Sequence, residues 1–302
     1  MKFVPRLLID VQTMLGESPV WCARTQSLWW IDVVAPSLWR WRHATEQAQS
    51  WPLPKPPAAL ALLEGGGVFI IFRAGAAVLD HPEAELKWLA LPEMSFAEER
   101  FNDGKVDRLG RLWLGTLDRR LSRPLGQLYR MGADAALQVV DSGFAIANGI
   151  GWSPDGRVMY FAETHEHRVY RYDFDPASGT ISNRTVLIQL PDGPGGPDGL
   201  TVDAAGSIWC VLFERGTVNR YHPTGELESS VALPVSRPTS CAIGGLDMRT
   251  LFITTARYGL SDQALFQEIG SGAVYALDLD ERGMVEPRFS LDRDALLLPL
   301  AA

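Results

Sequence analysis

The sequence contains little cysteine, no cluster of basic residues and no long apolar run. Cys22, Cys210 and Cys241 are its only cysteines and lie far apart, so neither a disulfide framework nor a cysteine metal motif is predicted. We expect all three thiols to be reduced and structural. Lys and Arg total 28 against 36 Asp and Glu, giving a net charge of −8, which argues against nucleic acid as a partner.

Membrane insertion and export are not predicted either. A membrane-spanning helix needs roughly 18 consecutive apolar residues, and the sequence contains no such run. The N-terminal stretch MKFVPRLLIDVQTMLGESP has no sustained apolar segment followed by a small-residue cleavage site. We therefore expect a cytoplasmic protein with no membrane partner, either a monomer or a weak oligomer.

Apolar residues and turn formers are abundant. The 302 residues are 46% hydrophobic and include 28 Gly and 20 Pro, a composition typical of a globular protein with many turns. The length alone allows two domains, but closed all-β folds of this size also occur as one. We expect residues 1–302 to form a single domain.

Six short apolar runs recur along the chain, each after a turn signal. Their spacing of about 40 to 50 residues is typical of propellers and other repeat folds. The first apolar residues of the six runs are Leu28, Val68, Leu112, Val158, Ile208 and Leu251. A second strand-like run follows each, so hairpins are predicted throughout, and a closed ring of blades would protect their edges. The prediction is an all-β, six-bladed β-propeller.

The run VPRLLIDVQ precedes the first full repeat, whereas the last repeat ends in GAVYALDL and a loose tail. One interpretation is that this N-terminal strand completes the last blade and closes the ring. The alternative is a frayed strand on the first blade.

Polar residues recur at one phase of the repeat. Ten positions before the six first apolar residues lie Ser18, Ala58, Asn102, Asn148, Asp198 and Cys241, and Glu17 adjoins the first of these. In a propeller the first strand of each blade lines the central channel, so these positions should converge at one end of it. Each Asn-Gly or Asp-Gly pair taken alone is also common in tight turns. Together the oxygen donors indicate a divalent cation such as Ca, Mg or Mn, although Zn and Fe(II) also accept carboxylates.

Several motifs resemble, in the right order, those of the senescence marker protein, gluconolactonase and luciferin-regenerating enzyme family. They are LGESPVW, RFNDGKVDRLGRLWLGTL, IANGIGWSPDGRVMYFAET and GPDGLTVDAAGSIWCVLF. The resemblance covers most of the chain, and the bacterial sugar lactonases are the most similar branch. It implies a six-bladed propeller with one divalent metal bound by Glu17, Asn148 and Asp198, with Asp198 also the catalytic general base. It also implies that Arg100 and Asn102 contact the substrate.

Two positions near these motifs are open to alternative interpretations. Asp103 either forms a turn with Gly104 or reaches the site. Where some family members have a substrate-contacting glutamate, this chain has Arg120, with Asp118 two residues earlier. Either residue is a candidate for substrate contact. An arginine only donates hydrogen bonds and keeps its positive charge, so Arg120 in the site would favour acceptor oxygens or a carboxylate on the substrate.

The resemblance implies a hydrolase of cyclic esters in carbohydrate metabolism. It would open an aldonolactone of the glucono, xylono, arabino or galactono type to the aldonic acid, with a sugar lactone as its small-molecule partner. Two alternatives remain: a propeller hydrolase of other esters or phosphotriesters, and a non-catalytic binding propeller whose metal is structural. Metal-dependent turnover of sugar lactones separates the first function from both.

Overall fold

The computed structural model describes residues 3–89 and 98–293, which form six antiparallel four-stranded sheets and one short helix. The chain starts with β1 (Arg6–Ile9). Blade 1 consists of β2 (Gly16–Cys22), β3 (Ser27–Asp32), β4 (Ser37–Arg42) and β5 (Gln47–Pro52). Blade 2 consists of β6 (Pro57–Leu62), β7 (Val68–Phe72), β8 (Gly75–Leu79) and β9 (Lys87–Leu89). Blade 3 consists of β10 (Glu99–Val106), β11 (Leu112–Asp118), β12 (Gly126–Met131) and β13 (Leu137–Phe144).

The second half of the chain repeats the pattern. Blade 4 consists of β14 (Ala147–Trp152), β15 (Val158–Glu163), β16 (Arg168–Asp175) and β17 (Thr180–Gln189). Blade 5 consists of β18 (Gly196–Val202), β19 (Ile208–Phe213), β20 (Thr217–Tyr221) and β21 (Leu227–Ala232). Blade 6 consists of β22 (Pro238–Gly244), β23 (Thr250–Thr255) and β24 (Val274–Asp278), with α1 (Asp262–Gln267) between the last two strands. None of the helical structure in the described residues is long and apolar enough to cross a bilayer.

The N-terminal strand closes the ring. β1 pairs antiparallel with β24, so the sixth blade takes its outermost strand from the other end of the chain. The prediction of a six-bladed propeller closed by its N-terminal strand is confirmed. The three cysteines are buried and free, as expected.

The apolar core lies between the blades. In the described residues, buried apolar side chains form six clusters, one at each interface between neighbouring blades. Trp113 of blade 3 packs in one cluster with Phe161 of blade 4, and Trp21 of blade 1 stacks on Phe252 of blade 6 at 5.3 Å between ring centroids. Burial of these aromatic side chains stabilises the ring at each joint, including the joint at which the chain closes on itself.

Buried aspartates fix the turns after the first strands of blades 3 and 5. The side chain of Asp107 accepts hydrogen bonds from Arg111 Nε (2.6 Å) and Trp113 Nε1 (2.9 Å), and from two backbone N–H groups of its own turn. Asp203 accepts a hydrogen bond from Trp209 Nε1 in the same way (3.1 Å). Each carboxylate therefore joins the turn to a tryptophan in the second strand.

The first strand of every blade lines a narrow channel. Ser18, Leu60, Lys105, Ile150, Leu200 and Cys241, one from each blade, face the same cavity. After β24 the chain crosses one end of this channel: Gly283 forms a β-bridge with Asp203, and Phe289 forms one with Leu63. The segment after β24, which the repeat pattern does not assign to a blade, therefore covers the end of the channel at which the first strands end. The opposite end, where the first strands begin, holds the candidate site.

Candidate active site

The pairing register shifts near the start of every first strand. The shifts lie at Glu17/Val20, Pro57/Ala59, Phe101/Gly104, Ala147/Ile150, Pro197/Leu200 and Pro238/Ser240. A β-bulge adds a residue to one strand and redirects its side chain. Asn102, Asn148 and Asp198 lie within these irregular segments and Glu17 lies at the edge of one, so the predicted residues occupy the same structural position in four blades.

The Asn-Gly and Asp-Gly pairs belong to strands, not to hairpin turns. Asn148 and Gly149 lie in β14, and Asp198 and Gly199 lie in β18. A Cβ atom at Gly149 would lie 2.5 Å from the carbonyl oxygen of Asp198, closer than packing allows. The glycine therefore permits the first strands of blades 4 and 5 to approach each other, which brings Asn148 near Asp198.

A chain of hydrogen bonds links the predicted site residues across three blades. Asn102 Nδ2 donates to Asn148 Oδ1 (2.7 Å), and Asn148 Nδ2 donates to Thr164 Oγ1 (2.6 Å). Thr164 Oγ1 in turn donates to the carbonyl oxygen of Pro197 (2.7 Å), the residue before Asp198. Because the single hydroxyl hydrogen of Thr164 is used on Pro197, its oxygen accepts from Asn148. The Asn148 amide is thereby held with its oxygen on the side of Asn102.

Three acidic side chains share the end of the channel. Burial raises the pKa of Glu17 well above its usual range, and the charges of Asp198 and Asp103 raise it further. Burial and the charge of Asp103 likewise raise the pKa of Asp198. Burial raises the pKa of Asp103 to about 6, against the lowering effects of the Gly104 N–H and Lys105. The structure therefore brings Asp103 into the site, in addition to its hydrogen bond with Gly104 (2.7 Å).

The donor set fits a divalent cation. Within residues 3–89 and 98–293, neither Glu17 nor Asp198 forms an ion pair with a lysine or arginine, although Arg100 attracts Glu17 from a distance. Buried carboxylates that lack a paired cation are costly unless they coordinate a metal. The buried Asp198 and the half-buried Glu17, together with an oriented amide oxygen, match the ligand preference of hard cations. In the same part of the chain no three His, Cys, Asp or Glu side chains form a metal-binding group, so a site here would depend on the Asn148 amide.

Arg100 and Asn102 form the edge of the site. Arg100 Nη1 donates to Asn102 Oδ1 (3.3 Å) and to the carbonyl oxygen of Phe101 (3.1 Å). Asn102 Nδ2 uses its two hydrogens on Asn148 Oδ1 and on the Ala147 carbonyl (2.9 Å). The remaining capacity of Asn102 is therefore that of an acceptor, through Oδ1.

Asp118 holds its own loop together. Its carboxylate accepts hydrogen bonds from Arg123 Nη2 (2.6 Å) and from the backbone N–H of Arg123 (2.9 Å), and its side chain is fully buried. The Arg123 guanidinium lowers the pKa of Asp118 far below its usual range. These contacts indicate that Asp118 shapes the loop between β11 and β12. Arg120 lies exposed in that loop, and its contact with substrate stays a prediction.

The sequence reasoning did not identify Thr164, Arg73 or Arg119. Thr164 follows β15, and its role depends on contacts with Asn148 and Pro197 that no local motif announces. Arg73 and Arg119 follow the second strands of blades 2 and 3, and their charges interact with Arg100. A search of the residues just after each second strand, which lie at the same end of the ring as the site, would have found all three.

Comparison with known proteins identifies the family. The family model described as the SMP-30/Gluconolactonase/LRE-like region matches residues 15–257. The chain belongs to this family. It is 37% identical to 6-deoxy-6-sulfogluconolactonase of Pseudomonas putida, over 94% of this chain and 98% of that protein. It is 34% identical to L-arabinolactonase of Azospirillum brasilense, over 94% of this chain and 95% of that protein.

A solved structure of the family has the same fold. The structure described as regucalcin, a calcium-binding protein from Agrobacterium tumefaciens, superposes with a TM-score of 0.89 at 28% identity, covering 96% of this chain and 98% of that one. The family resemblance inferred from the sequence motifs is therefore confirmed along nearly the whole chain.

Proposed function

We propose that this chain is a metal-dependent sugar lactonase that hydrolyses an aldonolactone to the aldonic acid. The enzyme class, a hydrolase of cyclic esters, is supported by the two lactonase relatives. The observation that carries the metal-dependent function is the convergence of Glu17, Asn148 and Asp198 from three blades, with no ion pair to Glu17 or Asp198 within the described residues.

Glu17, Asn148 and Asp198 would hold the metal. Bound there, a divalent cation would polarise the lactone carbonyl and stabilise the negative charge that develops on its oxygen. The similarity to a calcium-binding regucalcin supports a divalent cation, and the donor set alone does not select one metal.

Asp198 is the proposed general base. It would accept a proton from the water that attacks the lactone carbonyl, and its burial excludes competing solvent from the carboxylate. Ester hydrolysis then breaks the ring C–O bond, and the proton passes to the alkoxide leaving group to give the hydroxyl of the open acid. Asp103, whose charge acts on both Glu17 and Asp198, lies close enough to influence this proton transfer.

Arg100 and Asn102 are the proposed substrate contacts. Asn102 Oδ1 accepts only from Arg100 among the described residues, so it has room to accept a hydrogen bond from a sugar hydroxyl. Arg100 would donate to ring or hydroxyl oxygens. Together they would fix the sugar beside the carboxylates, and such positioning contributes to rate.

A panel of aldonolactones tests this function. The full-length protein is stripped of metal with a chelator and assayed before and after addition of Ca²⁺, Mg²⁺, Mn²⁺ or Zn²⁺. We expect hydrolysis that depends on added metal and is lost in Asp198→Asn. Hydrolysis of aryl esters or phosphotriesters without lactone turnover would support the other hydrolase, and metal binding with no turnover of any ester would support a binding propeller.

A further inference from the structure

Ser18, the residue after Glu17, has an unusual backbone conformation. Its φ is 53°, in the left-handed region that residues other than glycine rarely adopt. Nine non-glycine residues have such a φ in the described part of the chain, and Ser18 alone among them is buried, at 7% exposure. It lies in β2, inside the register shift between Glu17 and Val20. The irregular backbone therefore directly follows a proposed metal ligand.

The side chain of Ser18 connects blade 1 to blade 2. Ser18 Oγ accepts a hydrogen bond from the backbone N–H of Leu60 (3.0 Å), and this bond is buried. Leu60 lies in β6, an edge strand that pairs only with β7 within its sheet. A buried N–H on the open side of such a strand needs an acceptor from elsewhere, because leaving it unpaired is costly. Ser18 supplies that acceptor, and the contact fixes the irregular segment of β2 against the neighbouring blade.

The backbone of Ser18 also acts on the Glu17 carboxylate. Burial raises the pKa of Glu17, and the backbone N–H of Ser18 opposes that rise. The N–H of Gly199 has the same effect on Asp198 in blade 5, where burial again raises the pKa of the carboxyl group. Two proposed metal ligands therefore share this arrangement, and the direction of the following residue's N–H depends on the local backbone.

Blade 1 has a serine where blade 5 has a glycine. Glycine would adopt the φ of Ser18 without steric cost, so a serine is the less favourable residue for this backbone. A residue held in a rarely populated conformation is maintained by its surroundings, and such residues cluster at functional sites. The hydrogen bond with Leu60 is the contact that maintains Ser18.

We propose that Ser18 is a positioning residue for Glu17. Its left-handed backbone turns the Glu17 carboxylate towards Asp198, and its hydroxyl holds that turn in place through Leu60. Ser18 acts through Glu17 and is not itself a ligand, because its oxygen is used on the Leu60 N–H. The inference rests on the proposed metal-dependent function.

Three variants separate the hydroxyl from the backbone. Ser18→Ala removes the acceptor and keeps a Cβ, so the left-handed conformation loses the contact that maintains it. Ser18→Gly also removes the acceptor, but glycine retains access to the same φ. Ser240→Ala is the matched control, because Ser240 is a buried serine of blade 6 that lines the same cavity as Ser18.

Titration of the metal-stripped, full-length protein with Mn²⁺ measures the effect, with the electron paramagnetic resonance signal reporting the free ion. Loss of a group that orients a metal ligand typically weakens metal binding about 10-fold to 100-fold. We expect a loss of that size in Ser18→Ala, a smaller loss in Ser18→Gly, and a change of less than about threefold in Ser240→Ala. A loss in Ser18→Gly as large as that in Ser18→Ala would overturn the role of the left-handed backbone.

A double-mutant cycle tests whether Ser18 acts through Glu17. Residues that act as one unit are not additive, so Ser18→Ala introduced into Glu17→Gln should weaken Mn²⁺ binding by less than about threefold further. A repeat of the full loss in that background would show that Ser18 acts independently of Glu17 and would overturn the proposal.

Thermal unfolding without metal distinguishes positioning from a purely structural role. If Ser18 only stabilises the joint between blades 1 and 2, Ser18→Ala lowers the melting temperature of the metal-free protein and the folded variant binds Mn²⁺ as tightly as the unchanged protein. That result refutes the inference and leaves the proposed function intact. Absence of Mn²⁺ binding to the unchanged protein refutes both, whereas binding without lactone turnover refutes the lactonase function and still allows the Ser18 variants to be compared.

Discussion

Thr164 is expected to control metal affinity without touching the metal. Its hydroxyl accepts from Asn148 Nδ2 (2.6 Å) and donates to the carbonyl of Pro197 (2.7 Å), which holds the Asn148 oxygen on the side of Asn102 and so fixes the orientation of a proposed metal ligand. Thr164→Val preserves the shape of the side chain and removes the acceptor. The Asn148 amide then either leaves an N–H unpaired or turns its oxygen away from Asn102, out of the orientation proposed for a metal ligand.

The size of the effect follows from that lost hydrogen bond. Leaving a buried donor unsatisfied costs about 1 to 3 kcal/mol, and about 1.4 kcal/mol corresponds to a factor of ten in affinity. Loss of groups that orient metal ligands typically costs about 10-fold to 100-fold in affinity. The two estimates agree, so we expect Thr164→Val to bind the divalent cation about 10-fold to 100-fold more weakly.

Isothermal titration of the metal-stripped protein measures this directly. Thr164→Ser is the matched control, because it keeps the hydroxyl and should bind the cation within about threefold of the unchanged protein. Circular dichroism without metal checks that both variants are folded. A folded Thr164→Val protein with unchanged affinity would show that Asn148 is not a ligand, or that its amide is oriented by another contact.

The remaining predictions concern catalysis, stability and the loop after β11. Asp198→Asn should lower lactonase kcat about a hundredfold to ten-thousandfold while the fold survives; near-normal turnover with metal bound would mean that another group takes the proton. Metal at 100 times its dissociation constant should stabilise the fold by about 2.7 kcal/mol in thermal unfolding, and an unchanged melting temperature at saturation would contradict a single specific site. Asp107→Ala removes the acceptor of four hydrogen bonds from a buried turn. It should lower the free energy of unfolding by about 3 to 5 kcal/mol in urea titrations. The control is Asp155→Ala in an exposed turn, which should lower the free energy of unfolding by less. Arg120→Ala should leave KM for neutral lactones unchanged because Arg120 is exposed. Asp118→Ala should raise KM because it releases the loop between β11 and β12. A higher KM in Arg120→Ala would instead indicate that the Arg120 side chain contacts the substrate.

The order of the blades was predictable because every blade repeats the same physical pattern. A turn followed by two apolar runs forms a hairpin wherever it occurs, and Leu28, Leu112 and Ile208 all became the first or second residue of a second strand. No single repeat buries its apolar faces alone, so six in succession require stacked neighbours. The phase of the repeat then identified Asn102, Asn148 and Asp198 as neighbours at one end of the channel. Their roles as ligands, base and substrate contacts stay predictions.

The tertiary structure decided what a linear period does not encode. The repeat period gives the position of a residue along a strand, whereas the β-bulges set the direction of its side chain. The bulge in β10 allows Asp103 to lie near Glu17 and Asp198. The sequence alone made Asp118 and Arg120 equal candidates for substrate contact. In the structure the Asp118 carboxylate accepts a hydrogen bond from Arg123, five residues later. The Thr164 hydrogen bond to Pro197 and the tail across the channel both connect different blades. Such contacts depend on how the blades pack in three dimensions, because the residues that meet there are far apart in the chain and share no local motif.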